Sequence, residues 1–208
     1  MKNILRPVLL LAATLALLTA CDPGTNGIVE PTVKGTVIGY TGPKADVVLY
    51  ALNPAGESFE YFPVGSGTVE GSTIEFTIDT PPDEALYPAS AMYFLVTEPE
   101  PWITTLVVQL ADDTGGFELA NTDPHKGGAE WKVGDAVAHL MYADRAGTLT
   151  VPDWAYDTDG MTGKIIVREG WNVVRSVVTK IDGGLFEQRL GNGDLASLDW
   201  YFVNWIVH

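Results

Sequence analysis

Short runs of alternating or continuously apolar residues recur along this chain, and turn-forming clusters punctuate them. The clearest case is 73–78, where Ile74, Phe76 and Ile78 point one way and Thr73, Glu75 and Thr77 the other, as in a half-buried strand. Residues 104–110 alternate again, and apolar runs, several of them rich in Val and Ile, predict strands over 33–40, 45–52, 58–62, 91–97, 148–151, 163–168, 171–180 and 185–190. Gly42-Pro43, Asn53-Pro54-Ala55-Gly56, Pro81-Pro82, Asp112-Asp113, Asp182-Gly183-Gly184 and Gly191-Asn192-Gly193 separate them with turn chemistry.

Residues 136–143 fit a helix or a strand. The turn signal Asp144-Arg145-Ala146-Gly147 that follows favours a strand, with 148–151 as its hairpin partner. The last run, 200–207, carries Trp200 and Phe202 on one face and Tyr201, Val203 and Trp205 on the other, which predicts a central strand covered on both sides. About a dozen short strands with almost no helical periodicity predict an all-β domain over 32–208. A mostly antiparallel β-sandwich is the first expectation and a closed β-barrel the alternative.

The first thirty residues break this pattern. Lys2 and Arg6 precede an uncharged apolar run over 8–18, which is shorter than the roughly 20 residues a spanning helix needs. The order of charged start, apolar run and small residues is that of a secretory signal. Leu18-Thr19-Ala20-Cys21 closes the run with the only cysteine of the chain, and it resembles a bacterial lipobox. The resemblance implies a lipoprotein signal peptide over 1–20, cleavage before Cys21 and a diacylglycerol on its sulfur. The membrane would then be a partner through that lipid, and the location would be the cell envelope, facing the periplasm or the exterior. Acyl chains anchor by about 0.8 kcal/mol per buried CH2, so two or three hold a protein stably where one does not. Residues 21–31, with Asp22-Pro23-Gly24 and Asn26-Gly27, read as a flexible tether.

Charge narrows the partners. Twelve basic residues, two of them within the first twenty, stand against 27 acidic ones, a net charge of −15. Nucleic acid is excluded as an expected partner, since phosphate binding needs a basic surface. An acylated Cys21 leaves no thiol for a disulfide, a thiolate metal site or a cysteine nucleophile.

A second resemblance covers residues 33–78. Gly35-Thr36-Val37, then Ala45-Asp46-Val47-Val48-Leu49, then Ile74-Glu75-Phe76-Thr77-Ile78 before prolines are similar to the transthyretin-like or carboxypeptidase-regulatory-like β-sandwich. That likeness implies a non-catalytic accessory module and transfers no functional residue.

Candidate chemistry is sparse. Asp153, Asp157 and Asp159 precede Gly160 and offer the hard oxygen ligands that calcium takes. The EF-hand spacing is not met, so an acidic turn is the preferred reading and calcium the alternative; no other cofactor is expected. His125, His139 and His208 lack metal-ligand spacing, and His139 reads as a core or sheet-face histidine. Gly65-Ser66-Gly67 reads as a hairpin-like loop, not a nucleophile elbow. Among the tryptophans, Trp171, Trp200 and Trp205 are expected in the core. Trp102, Trp131 and Trp154 sit near Pro, Gly or Asp, as loop aromatics that stack on a sugar or anchor a partner do. The expected function is a lipid-anchored envelope protein with a non-catalytic binding or structural module, its partner an envelope protein or a glycan. The alternatives are a carboxylate-dependent hydrolase acting on glycans and, if the strands close into a barrel, a carrier of an apolar ligand.

Overall fold

The computed structural model describes residues 31–54, 59–92, 94–127, 130–155, 159–183 and 185–205, with the side chains of 153–155 and 159 left aside. The lipobox, Cys21 and Asp157 lie outside these residues.

Fourteen strands run β1 (Thr32–Ile38), β2 (Ala45–Asn53), β3 (Glu60–Glu70), β4 (Thr73–Ile78), β5 (Tyr87–Pro88), β6 (Leu95–Val96), β7 (Trp102–Leu110), β8 (Gly115–Ala120), β9 (Ala136–Ala143), β10 (Gly147–Ala155), β11 (Asp159–Val167), β12 (Gly170–Asp182), β13 (Leu185–Asn192) and β14 (Asp199–Asn204). The protein is all-β. Eight strands close a barrel in the order β7-β2-β3-β4-β1-β14-β8-β9, sealed where Ile103, Thr104 and Thr105 of β7 pair with Ala143, Tyr142 and Met141 of β9. Of the two expected arrangements, the closed barrel is the one present. From β9 the sheet continues outward through β12, β13, β11, β10 and β6.

Closure needs strongly curved strands, and β3 supplies curvature. Its pairing with β2 steps from Leu49↔Gly65 to Tyr50↔Pro63, so Val64 is an extra residue, a bulge that bends the strand. The stretch Gly65-Ser66-Gly67 is therefore the middle of a strand and not the loop its glycines suggested. A Cβ on Gly67 would stand 2.2 Å from the Glu75 carbonyl oxygen, so only glycine lets β3 approach β4 this closely.

Two clusters of buried side chains follow from the alternation. Inside the barrel Val47, Leu49, Val69, Ile74, Phe76, Leu119, Leu140, Trp171 and Trp200 pack together. Phe76 and Trp200 meet edge-on with ring centroids 5.3 Å apart, a favourable aromatic geometry. The second cluster fills the space between the barrel wall and the outer strands with Tyr87, Ile103, Met141, Leu149, Ile165, Val167 and Val174. Asn172 is buried beside it, and its amide donates to the carbonyls of Arg168 and Gly170 at 2.8 and 2.7 Å, satisfying a polar group that burial would otherwise penalise.

Three local expectations are corrected. Residues 136–143 form a strand as expected, but β10 is not its hairpin partner. β9 pairs with β12, β7 and β8, while β10 crosses to β11 and β6, because Leu149 and Ile165 bury themselves in the second cluster. Among the described residues of 91–97 only Leu95–Val96 is strand, and Ala89–Met92 is a 3-10 turn. The final strand is central, between β1 and β8, but it ends at Asn204.

Candidate functional site

The barrel wall has a fork. β7 pairs with β8 only beside their shared turn, at Val108↔Phe117 and Gln109↔Gly116, and then leaves it to pair with β9. β8 in turn meets β9 only at Leu119↔Ala138 and Ala120↔Val137. Leu106 and Val107 of β7, Glu118 of β8, and His139 and Leu140 of β9 thus have ladder partners on one side alone. A pocket of about 280 Å3 opens at this gap, lined by these five residues together with Trp200, Val203 and Trp205 from the end of β14.

A second pocket shares Glu118 and Val137 with the first, so the two adjoin in one groove; its first part cuts into the barrel wall against the core residues Phe117, Leu119 and Trp200, and its second lies over the outer face of β9, β12 and β13. Its far end is lined by Trp131 and Pro124 from the loop before β9, and by Ser176, Val178, Phe186 and Gln188. Trp205 lines the first pocket, Trp131 and Phe186 line the second, and Glu118 lines both.

Polar side chains hold the loop that carries Trp131. Asn121 bridges its base, accepting from the Ala136 amide at 2.7 Å and donating to the Gly134 carbonyl at 3.0 Å. Lys126 donates to the Asp135 carboxylate, and both side chains are largely buried. Asp135 also accepts from the Lys132 amide at 2.6 Å. The Lys126 hydrogen bond, more than any other cause, holds the Asp135 carboxyl below the usual aspartate range. Lys126 Nζ lies 5.0 Å from the centre of the Trp131 ring, a cation–π contact that fixes the indole over the groove. The Val178 amide donates to the Asp135 carbonyl at 2.9 Å and the Gly134 amide to the Val178 carbonyl at 2.9 Å, which stitches the loop to β12.

Two histidines flank the carboxylate in the middle of the groove. His125 Nε2 is 3.4 Å from Glu118 Oε1, with both side chains half exposed. His139 projects from the outer face of β9 and its ring reaches solvent. Crowding by surrounding protein still moves its pKa below the ordinary imidazole value, against the opposing pull of Glu118.

Of the tryptophans singled out from the sequence, Trp131 lines the groove. Trp102 is exposed at the start of β7, where its amide donates to Asp144 at 2.8 Å, and it lines neither pocket. The backbone of Trp154 lies in β10, and its side chain is outside the description. Trp171 and Trp200 are core residues as expected, whereas Trp205, also expected there, is 42% exposed. The reason is that β14 stops one residue before it, and the indole sits against Gly116, where a Cβ would stand 2.7 Å from it. The suggested calcium ligands Asp153, Asp157 and Asp159 fall outside the described side chains. Among the described residues, no three of His, Cys, Asp and Glu cluster closely enough to hold a metal ion. Glu118, Phe186 and Gln188 escaped sequence reasoning because each is one polar or apolar member of an ordinary alternating strand; only the fold brings them beside Trp131.

No family model, no curated protein and no solved structure matches this chain.

Proposed function

We propose that this is a lipid-anchored protein of the cell envelope whose barrel is a binding module, and that its ligand is a glycan lying in the groove between Trp205 and Trp131. The observation that carries the reading is the groove itself: aromatic rings in both of its pockets, with Glu118, His139, Ser176 and Gln188 offering hydrogen bonds beside them. Aromatic faces take the apolar faces of sugar rings, and a few placed polar groups orient the hydroxyls. A glycosidase uses two carboxylates on opposite sides of the scissile bond, whereas among the described residues Glu118 is the one carboxylate lining either pocket. Leu49, Ile74 and Phe76 pack together inside the barrel, so an apolar cargo would be confined to the wall pocket that Trp200 lines. The lipobox-like Leu18-Thr19-Ala20-Cys21 supports the anchor.

The test is calorimetry and tryptophan fluorescence with hexose and N-acetylhexosamine oligomers of two to six units. Saturable binding that Trp131→Ala weakens at least about tenfold, with unchanged circular dichroism, is the expected result. Binding indifferent to both Trp131→Ala and Trp205→Ala would remove the groove from the function. Release of shortened sugars, lost in Glu118→Gln, would make the protein a hydrolase.

A further inference from the structure

Successive side chains of β12 point to opposite faces of the outer sheet. Ser176 and Val178 face the aromatic groove, whereas Arg175, Val177 and Thr179 face away from it. On the neighbouring strand Gln188 belongs to the groove and Arg189 to the other face, beside Val177 in the ladder. Here a separate shallow pocket is lined by Arg175, Val177, Thr179, Arg189, Gly191 and Asn192. Among the described residues its lining has two guanidinium groups and no carboxylate, in a chain where acids outnumber bases 27 to 12. Lys164 of β11 flanks it from the next strand, since Thr162 and Gly163 pair with Arg189 and Leu190.

The guanidinium groups are not used by the fold. Among the described residues neither Arg175 nor Arg189 takes part in an ion pair, and Arg175 Nε is buried without a hydrogen-bond partner. A buried donor left unpaired is costly, and a protein retains one where something else accepts from it. The nearest acid along β13, Glu187, already accepts from Lys180 at 2.8 Å.

We propose that Arg175 and Arg189 form an oxyanion site that takes a carboxylate or phosphate group, on the face of the sheet opposite the aromatic groove. The guanidinium plane presents parallel N–H donors that match the paired oxygens of either group. The Thr179 hydroxyl is already spent on the Glu187 carbonyl at 3.0 Å, so the two arginines carry the site, and the missing side chain of Gly191 leaves room for the anion to approach the backbone. The anion comes either from a free small molecule or from the headgroup of an acidic lipid in the membrane that the chain is anchored to. The site is independent of the glycan reading.

The experiment is a titration of the isotope-labelled full chain, followed by the amide resonances of Thr179, Gly191 and Asn192. The probes are inorganic phosphate, succinate and soluble dihexanoyl phosphatidylglycerol, with chloride at matched ionic strength as control. Saturable shifts with at least one probe, weakened roughly tenfold or more in Arg189→Gln, are expected. Tighter binding of the phosphatidylglycerol than of phosphate identifies a headgroup; phosphate or succinate binding at least as tightly identifies a free anion. Arg175→Lys keeps the charge and the packing but loses the fork, and it should also weaken binding. Shifts that fail to saturate, that chloride reproduces, or that persist unchanged in both variants overturn the site.

Discussion

Gly67 shows how one position couples sequence to closure of the barrel. Its hydrogen stands where any Cβ would press on the Glu75 carbonyl at 2.2 Å. Backbone, unlike a flexible side chain, cannot move aside cheaply. Gly67→Ala should therefore cost about 1–3 kcal/mol, the usual range for overpacking, seen as a lower denaturant midpoint with an unchanged slope. Gly71, by contrast, has open space around it but a φ of +58, so Gly71→Asn should be milder than Gly71→Val, which adds a β-branched side chain to a left-handed turn.

The loop from Asn121 to Asp135 and the strand β14 act as units. In the loop, the depressed pKa of Asp135 has a definite sign. Its carboxylate is favoured in the folded state, so its stabilising effect is complete above the ordinary aspartate value of 3.8 and is lost as the pH falls through the lower folded value. Asp135→Asn should cost roughly 1.5–3 kcal/mol near neutrality, the worth of hydrogen bonds to a charged group. That difference from the wild type should shrink below pH 3.8, as measured by denaturant titration at a series of pH values. Trp131 fluorescence should report release of the indole in the same window. A wild type and variant that stay equally far apart down to pH 2 would disconnect Asp135 from the loop. In β14, Trp200 is 4% and Val203 7% exposed, and the strand is held by β1 on one side and β8 on the other. Ending the chain after Asp199 removes both and opens the barrel. Each buried side chain is worth about 1.5–3 kcal/mol against a typical net stability of 5–15 kcal/mol, so the truncated protein should lose its cooperative thermal transition. A melt close to the wild-type temperature would show that the barrel closes without the strand.

For the molecule as a whole, the barrel and the proposed anchor make separable claims. Residues 32–208 contain every described strand, so this segment should fold alone, with a circular dichroism spectrum of β type. Substantial helix in that spectrum would contradict the fold. Cys21→Ala in the full chain should leave the fold intact and shift the protein from the membrane to the soluble fraction. Mass spectrometry of the wild-type N-terminus should find an acylated Cys21. An unmodified thiol, or a chain beginning elsewhere, would remove the anchor and the envelope location together.

The all-β class and most strand positions were legible in the sequence because the signals are local: 73–78 and 104–110 each carry their own period-two pattern, and 171–180 its own run of valines. The hairpin at Asp182-Gly183 was legible for the same reason, since its turn chemistry lies within the turn, and Asp182 pairs with Leu185 across it. Partner choice between strands is not local. Nothing in residues 144–151 says that β10 abandons β9 for β11 and β6, since that depends on where Leu149 finds a second apolar surface. Barrel and sandwich share the same alternation and differ in curvature, which here involves an extra residue at Val64 and glycines close to a neighbouring backbone. The groove depends on the fork among β7, β8 and β9 and on a loop folded over β12. Trp131 was recognisable as a loop aromatic, but its neighbours Glu118, Phe186 and Gln188, and the exposure of Trp205, were decided only when strands distant in the chain came to lie side by side.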